Sequence, residues 1–126
     1  MKKLVFAIAM ALCATTAMAQ KQAEIVFEAD TINLGQFSEK DGVQTCEYTF
    51  TNKGDAPLVI HQAIATCGCT VPEFQNTPVK PGEKGKITVT YNGRGKLLGS
   101  FTKTISVRSN AKNGIKRLYL KGNMTE

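Results

Sequence analysis

Apolar and polar residues alternate with a period of two along most of the chain, and this alternation restricts the fold more than any other feature of the sequence. It is clearest at 46–50, 87–91 and 101–107, where nearly every second side chain is apolar. Runs with the period of a helix are missing between residues 20 and 126. Such alternation is typical of β-strands that turn one face to the core and the other to water.

Shorter segments complete the strand prediction. Three further strands are expected: a first strand from 25 to 37 with a break near Asp30, the row Leu58, Ile60 and Ile64, and the row Leu118 and Leu120. Turn residues separate the runs, and Asn113-Gly114 predicts a tight hairpin because both residues tolerate positive φ. Six or seven short strands without helices predict an all-β fold, an antiparallel β-sandwich.

Lys103 conflicts with this pattern because it falls on the apolar face of its strand. A lysine can keep its stem against apolar neighbours while its ammonium group reaches water, and a β-bulge can turn a side chain outward. We therefore expect Lys103 to lie at a sheet edge or at a bulge.

The first 19 residues have the pattern of a secretory signal peptide. A basic start precedes the apolar run 4–12, and the small residues on either side of position 18 predict cleavage after Ala19. The apolar run is too short to cross a bilayer, so no transmembrane segment is expected in the mature chain. The mature protein is predicted to be one domain, residues 20–126, in the periplasm or at the cell surface.

Two thiols one glycine apart form the most distinctive motif of the chain, Cys67-Gly68-Cys69, which Thr70 follows. An exported protein meets an oxidising compartment, where disulfides form and persist. The predicted mature chain keeps three of the four cysteines, and the third of these is Cys46. Because three is an odd number, at least one thiol stays unpaired within a monomer.

Two interpretations of these thiols need no ligand. In the first, the cysteines are small core residues, and Gly68 serves a turn or a close approach of the backbone. In the second, a disulfide joins either Cys67 to Cys69 in a small, easily reduced ring, or Cys46 to one of them across strands. Both alternatives stay open at the level of the sequence.

The third interpretation is a soft-metal site. Paired thiolates suit copper(I) or zinc, and Cys67 and Cys69 could bind such an ion with Cys46 as a third ligand. His61, the only histidine, lies six residues before Cys67 on an apparently continuous strand, which is roughly 20 Å at about 3.3 Å per residue. We expect His61 to be an exposed strand residue, and without it the set of ligands is incomplete. The sequence therefore names three candidate ligands and assigns no metal site.

Several short motifs follow one another in a recognisable order. In chain order they are 52–60, 67–70, 81–82, 87–91, 99–101 and 109–110. They resemble the bacterial family catalogued as domain of unknown function 1573, and the Cys-Gly-Cys-Thr block is the most specific of them. The resemblance implies an immunoglobulin-like sandwich of about seven strands, similar to the domains of pilus chaperones and of sperm and ciliary proteins. It also implies a protein-contact module without catalysis.

The two halves of the chain carry opposite charge. Residues 20–79 hold three lysines against eight acidic residues, whereas 80–121 hold eleven basic residues and one acidic residue. A basic half can attract anionic glycans or lipids. Nucleic acid is not an expected partner, because the chain carries an export signal and lacks interleaved aromatic and basic residues.

Residue groupings that support catalysis are missing from the sequence. The single histidine gives no Cys-His or Ser-His-Asp arrangement, and no pair of acidic residues stands out. We therefore expect neither an enzyme nor a cofactor. The favoured hypothesis is an exported interaction or structural module of the cell envelope, which binds another envelope protein through exposed strand edges. The alternative is thiol-redox or soft-metal handling by Cys67 and Cys69.

Overall fold

A computed structural model describes residues 21–126, and the predicted signal peptide, 1–19, lies outside the described residues. A single short 3₁₀ turn, Glu39–Asp41, interrupts an otherwise all-β structure in this part of the chain. The strands are β1 (Ile25–Phe27), β2 (Thr31–Ser38), β3 (Val43–Asn52), β4 (Ile60–Ala65), β5 (Thr70–Phe74), β6 (Lys84–Asn92), β7 (Gly99–Ser109) and β8 (Ile115–Thr125).

The eight strands form two four-stranded sheets that pack face to face. Sheet A has the order β1-β3-β6-β5, and sheet B has the order β2-β8-β7-β4. All pairings are antiparallel except that of β2 with β8, which is parallel. This arrangement confirms the predicted all-β, immunoglobulin-like sandwich, with one more strand than expected and with one mixed sheet.

The predicted first strand is in fact two strands in different sheets. β1 pairs with β3 in sheet A, and β2 pairs with β8 in sheet B. The chain crosses from one sheet to the other around Asp30, where the sequence already showed a break. A local pattern locates such a break, but it does not reveal that the strand changes partners there.

The core lies between the inner faces of the two sheets. It includes the apolar side chains that alternation assigned to the inner faces, among them Tyr48, Ile87, Val89, Tyr91, Ile105, Val107, Leu118 and Leu120. The Tyr48 hydroxyl donates a hydrogen bond to the Tyr119 carbonyl oxygen across the sandwich, at 2.7 Å. The period of two therefore identified most of the core correctly.

Ile64 is a residue for which the alternation prediction was wrong. It was placed in one row with Leu58 and Ile60, yet its side chain is 49% exposed, while theirs are buried. The pairing of β4 with β7 shifts by one residue between Ile60 and Gln62, which is a β-bulge at His61. Because one extra residue exchanges the two faces of a strand, the side chains beyond the bulge that point inward are those of Ala63 and Ala65.

The predicted hairpin between the last two strands is present, but its turn is wider than expected. β7 ends at Ser109 and β8 begins at Ile115, and neither Asn113 nor Gly114 has a positive φ. Asn113 instead binds the backbone of Ile25: its Nδ2 donates to the Ile25 carbonyl at 2.9 Å, and its Oδ1 accepts from the Ile25 N–H at 3.3 Å. The wider turn thus ties β1 of sheet A to a turn of sheet B.

Candidate functional site at the Cys67–Cys69 turn

The turn 66–69 joins β4 to β5, which are edge strands of different sheets, so it closes one side of the sandwich. Within it, a disulfide links Cys67 and Cys69, whose Cα atoms are 5.1 Å apart. The Thr70 N–H donates to the Cys67 carbonyl at 3.1 Å and closes the turn. A Cβ atom at Gly68 would meet no atom within 4 Å, so this glycine serves no close approach of the backbone.

Each sulfur of the disulfide accepts a hydrogen bond from a neighbouring group. The Cys69 N–H lies 3.2 Å from the Cys67 Sγ. The Thr70 hydroxyl lies 3.6 Å from the Cys69 Sγ, and it must be the donor because a disulfide sulfur carries no proton. Cys69 and Thr70 are 7% and 3% exposed, whereas Cys67 is only partly buried. Cys67 is thus the more exposed residue of the pair, although it also packs against the core, and Cys69 lies within the core beside a hydroxyl group.

Cys46 does not join the other two cysteines. It lies on β3, pairs with Val89 of β6, and is a free thiol. Cys46 lies on β3, whereas Cys69 directly precedes β5, and β6 lies between these two strands in sheet A. The alternative of a bridge from Cys46 is therefore wrong for this structure. Burial raises the pKa of the Cys46 thiol above its ordinary value.

The candidate metal ligands stay apart in the same way. Cys67 and Cys69 are bonded to each other, Cys46 is separated from them by a strand, and His61 is exposed at the opposite end of β4. Within residues 21–126, no group of three His, Cys, Asp or Glu side chains is placed to hold a metal ion. The candidate ligands named from the sequence therefore offer a soft ion no more than the two thiols of the reduced pair.

Lys103 lies on β7, two residues before Ile105, the first residue of that strand that pairs with β4. The β4–β7 ladder pairs Ala65 with Ile105, and the Thr66 N–H still donates to the Thr104 carbonyl at 3.3 Å. The pairing ends there, because Cys67 belongs to the turn that follows β4. The β7–β8 register runs without a shift through Lys103, so the predicted bulge is absent there. None of the three ion pairs within residues 21–126 involves Lys103.

Nothing in the sequence pattern indicates directly that β4 is an unprotected edge strand. The Thr66 N–H donates to β7, and in an antiparallel pair every second residue of a strand bonds to the same neighbour. The N–H and C=O groups of the residues between them, Ala63 and Ala65, therefore point away from β7 and out of the sheet. In the described chain no strand pairs with β4 on that side. β4 contains neither proline nor a charged residue, apart from the titratable His61. Proline and charge are two common means of blocking a sheet edge.

Exposed apolar side chains surround the same end of the sandwich. The Asn92 N–H at the end of β6 donates to the Cys69 carbonyl at 2.7 Å, and Val43 pairs with Asn92 on the other side. Val43 is 46% exposed, Val71 directly after the turn is 50% exposed, and Leu97 in the β6–β7 loop is 94% exposed. Apolar surface is thus available beside the disulfide, and the exposed Ile64 supplies it on β4 itself.

No helix in residues 21–126 combines the length and the hydrophobicity needed to cross a membrane.

A family model described as "Protein of unknown function (DUF1573)" matches residues 25–124. None of the curated proteins gives a significant match. Among solved structures, a protein of unknown function from Porphyromonas gingivalis W83 superposes with a TM-score of 0.70 at 19% identity, over 87% of this chain and 51% of that chain. The present chain thus spans about half the length of that protein.

Two further solved structures share the fold. A PapD-like domain of human CEP192 superposes with a TM-score of 0.66 at 13% identity, over 87% of this chain and 92% of that one. The periplasmic chaperone SfaE superposes with a TM-score of 0.63 at 10% identity, over 81% of this chain and 58% of the chaperone. At these identities the similarity establishes the PapD-like sandwich fold alone.

Proposed function

Since the chain belongs to the DUF1573 family, whose description gives no activity, we propose a function from the surface of this domain itself. The proposal is a non-enzymatic interaction or structural module of the bacterial cell envelope, exported to the periplasm or the cell surface. The signal-peptide pattern of residues 1–19 supports export. The similarity to a periplasmic chaperone is compatible with the same location.

The free edge of β4 is the observation that carries this proposal. The unpaired N–H and C=O groups of Ala63 and Ala65 form a template on which an extended segment of another protein can add a strand. The exposed Ile64 side chain would contact the alternate side chains of such a segment. The expected partner is therefore another envelope protein with an extended, partly apolar segment.

Photo-crosslinking in the native host tests this proposal. A photoreactive residue in place of Gln62, which lies on β4, should crosslink to a defined partner. The matched control carries the photoreactive residue in place of Lys121, in the middle of the outer face of sheet B, and it should not crosslink to that partner. Equal crosslinking at both positions, or none at Gln62, would contradict strand addition at β4.

A proline substitution sharpens the test. The Ala63 N–H points away from β7, so Ala63→Pro removes a donor of the free edge and leaves the β4–β7 hydrogen bonds in place. We expect it to abolish the crosslink from Gln62 without unfolding the protein, as circular dichroism would show. Turnover of an envelope substrate by the purified protein at enzyme-like rates would disprove the non-enzymatic role.

The disulfide favours a second candidate function, thiol–disulfide exchange or soft-metal handling at Cys67 and Cys69. The short loop makes the bond a candidate for ready reduction. The double variant Cys67→Ser/Cys69→Ser should stay folded but lose exchange with glutathione and any binding of copper(I). If the double variant unfolds, the two cysteines serve the stability of the domain, and this candidate fails.

An anionic glycan or lipid is a further proposed partner, and the charge of sheet B supports it. The described strands of sheet B contain no Asp or Glu, whereas lysines of sheet A are paired with Glu28 and Glu47. The charged side chains on the outer face of sheet B, such as Arg108, Arg117 and Lys121, are therefore all basic. Sedimentation with phosphatidylglycerol vesicles at low salt should show binding that 150 mM salt weakens, where the Debye length is about 8 Å. Absence of binding at low salt would refute it.

A further inference from the structure

We propose that Cys67 is the sulfur attacked by an incoming thiolate, and that Thr70 is the positioning residue that holds the Cys69 thiolate released in that step. The inference rests on the second candidate function above, exchange at the Cys67–Cys69 disulfide. It adds which sulfur reacts, which sulfur leaves, and what stabilises the leaving sulfur.

The difference in burial decides which sulfur is attacked. A thiolate must approach one sulfur from the side opposite the S–S bond, so the attacked sulfur needs access from solvent. Cys67 is only partly buried, whereas Cys69 is 7% exposed and belongs to the core.

The reaction with a monothiol such as glutathione balances in two steps. The glutathione thiolate forms a bond to the Cys67 Sγ, the bond between Cys67 and Cys69 breaks, and its electron pair goes to the Cys69 Sγ. A second glutathione thiolate attacks the glutathione sulfur of the mixed disulfide and releases the Cys67 thiolate. Oxidised glutathione and the reduced pair are the products, because the pair gains two electrons and takes up the two protons that the thiols lost.

Thr70 is built to stabilise the sulfur that leaves. Its hydroxyl is buried and already donates to the Cys69 Sγ at 3.6 Å in the disulfide. When Cys69 becomes a thiolate, the same hydrogen bond acquires a charged acceptor and becomes stronger. A more stable leaving thiolate leaves faster and favours the reduced pair at equilibrium. The Cys69 N–H, at 3.2 Å from the Cys67 Sγ, supports the other sulfur in the same manner.

The first experiment locates the attacked sulfur. The oxidised protein is mixed with excess glutathione, quenched with acid after short times, alkylated and mapped by tandem mass spectrometry. We expect glutathione on Cys67 and the alkyl group on Cys69. Glutathione mainly on Cys69 would overturn the assignment while leaving the exchange function intact. No reaction at either cysteine would overturn both.

The second experiment tests Thr70 with variants of similar shape. Thr70→Val removes the hydroxyl, Thr70→Ser keeps it, and Thr90→Val makes the same change on the outer face of the neighbouring strand β6. We expect Thr70→Val to slow the first step and to shift the glutathione equilibrium toward the disulfide, each by about tenfold. Thr70→Ser and Thr90→Val should resemble the wild type.

The direction of the effect separates this role from a structural one. A turn that was merely loosened by the loss of Thr70 would expose the disulfide and speed its reduction, whereas loss of leaving-group stabilisation slows it. Melting temperatures of the variants, measured in parallel, show how far the fold is weakened. If the wild type exchanges with glutathione and Thr70→Val does so at the same rate, the role proposed for Thr70 is wrong, whereas the exchange function itself is unaffected.

Discussion

Asn52 shows how one buried polar side chain can hold several loops of this sandwich. It is fully buried, and its Nδ2 donates to the carbonyls of Ala56 and Val79 at 2.8 and 2.9 Å, while its Oδ1 accepts from the Gly54 N–H at 3.0 Å. These bonds satisfy polar backbone groups of three partly buried loop residues. Asn52 belongs to the first of the motifs that resemble the family, and the structure gives that position a structural role.

We predict that Asn52→Ala lowers the free energy of unfolding by about 3 kcal/mol, because a fully buried side chain is lost together with its hydrogen bonds to three partly buried backbone groups. Urea denaturation of the purified domain measures the change. The control is Asn123→Ala on the exposed outer face of β8, which should change stability by no more than about 0.5 kcal/mol. Equal effects of the two substitutions would show that the Asn52 bonds add nothing.

Cys46 yields a prediction about pH. Burial raises the pKa of this thiol above its ordinary value of 9.0, so the folded state keeps a proton that the unfolded state releases near pH 9. The resulting contribution to stability is complete below pH 9 and is lost as pH rises through the higher folded pKa. We expect the stability of the wild type to fall more steeply above pH 9 than that of Cys46→Ala.

Denaturation in urea between pH 7 and 11 measures this difference. Burial also raises the pKa values of Tyr48 and Tyr91, but both tyrosines are present in the wild type and in Cys46→Ala and so contribute to both pH profiles. In the oxidised protein Cys46 is the one free thiol among the described residues, so iodoacetamide should modify it slowly at pH 8 until urea unfolds the chain. Parallel pH profiles of wild type and variant would contradict the prediction.

At the scale of strands, Gly122 of β8 allows an aromatic ring of β7 to lie over the backbone. Gly122 pairs with Phe101, and a Cβ atom at this position would lie 2.6 Å from the ring of Phe101 and 3.1 Å from that of Phe37. The two rings pack edge to face, with centroids 6.0 Å apart. A methyl group here would displace both rings from their positions between the sheets.

We predict that Gly122→Ala destabilises the domain by about 1–3 kcal/mol through overpacking. Gly114→Ala is the matched control, because a Cβ there would lie 3.5 Å from its nearest atom, an ordinary contact. Thermal unfolding followed by circular dichroism compares the two variants. If Gly114→Ala is as harmful as Gly122→Ala, the loss is due to backbone effects and not to ring displacement.

At the scale of the whole molecule, the disulfide is not expected to hold the fold together. It closes a loop of only three residues, from Cys67 to Cys69, whereas the two sheets share an extensive core. Chain-entropy arguments give such a loop about 1.6 kcal/mol of stabilisation, which is less than for bridges that close longer loops.

We therefore predict that a phosphine reductant lowers the unfolding free energy by no more than about 2 kcal/mol and leaves the transition cooperative. Urea titrations with and without the reductant measure the loss of unfolding free energy. The control is the double variant Cys67→Ser/Cys69→Ser, which has no disulfide at these positions for the reductant to break. Loss of cooperative unfolding on reduction would mean that the disulfide is structural, and it would weaken the exchange function proposed above.

Local information in the sequence was enough to identify most of the strands, the sandwich and most of its core, but it missed β5 (Thr70–Phe74). Period-two alternation depends only on neighbours in the chain, and burial of one sheet face follows from it directly. The prediction was wrong where the pattern depends on pairing, as at Ile64, whose exposure results from a bulge at His61. It was incomplete around Asp30, where the chain changes sheets.

The candidate site shows the same division. The sequence by itself determined the export pattern, the alternating strands and the spacing of Cys67 and Cys69. Only the tertiary structure decided that these two thiols bond to each other, that β6 separates them from Cys46, and that β4 is a free edge. The physical reason is that strand order and register arise from contacts between segments far apart in sequence, which no local pattern records.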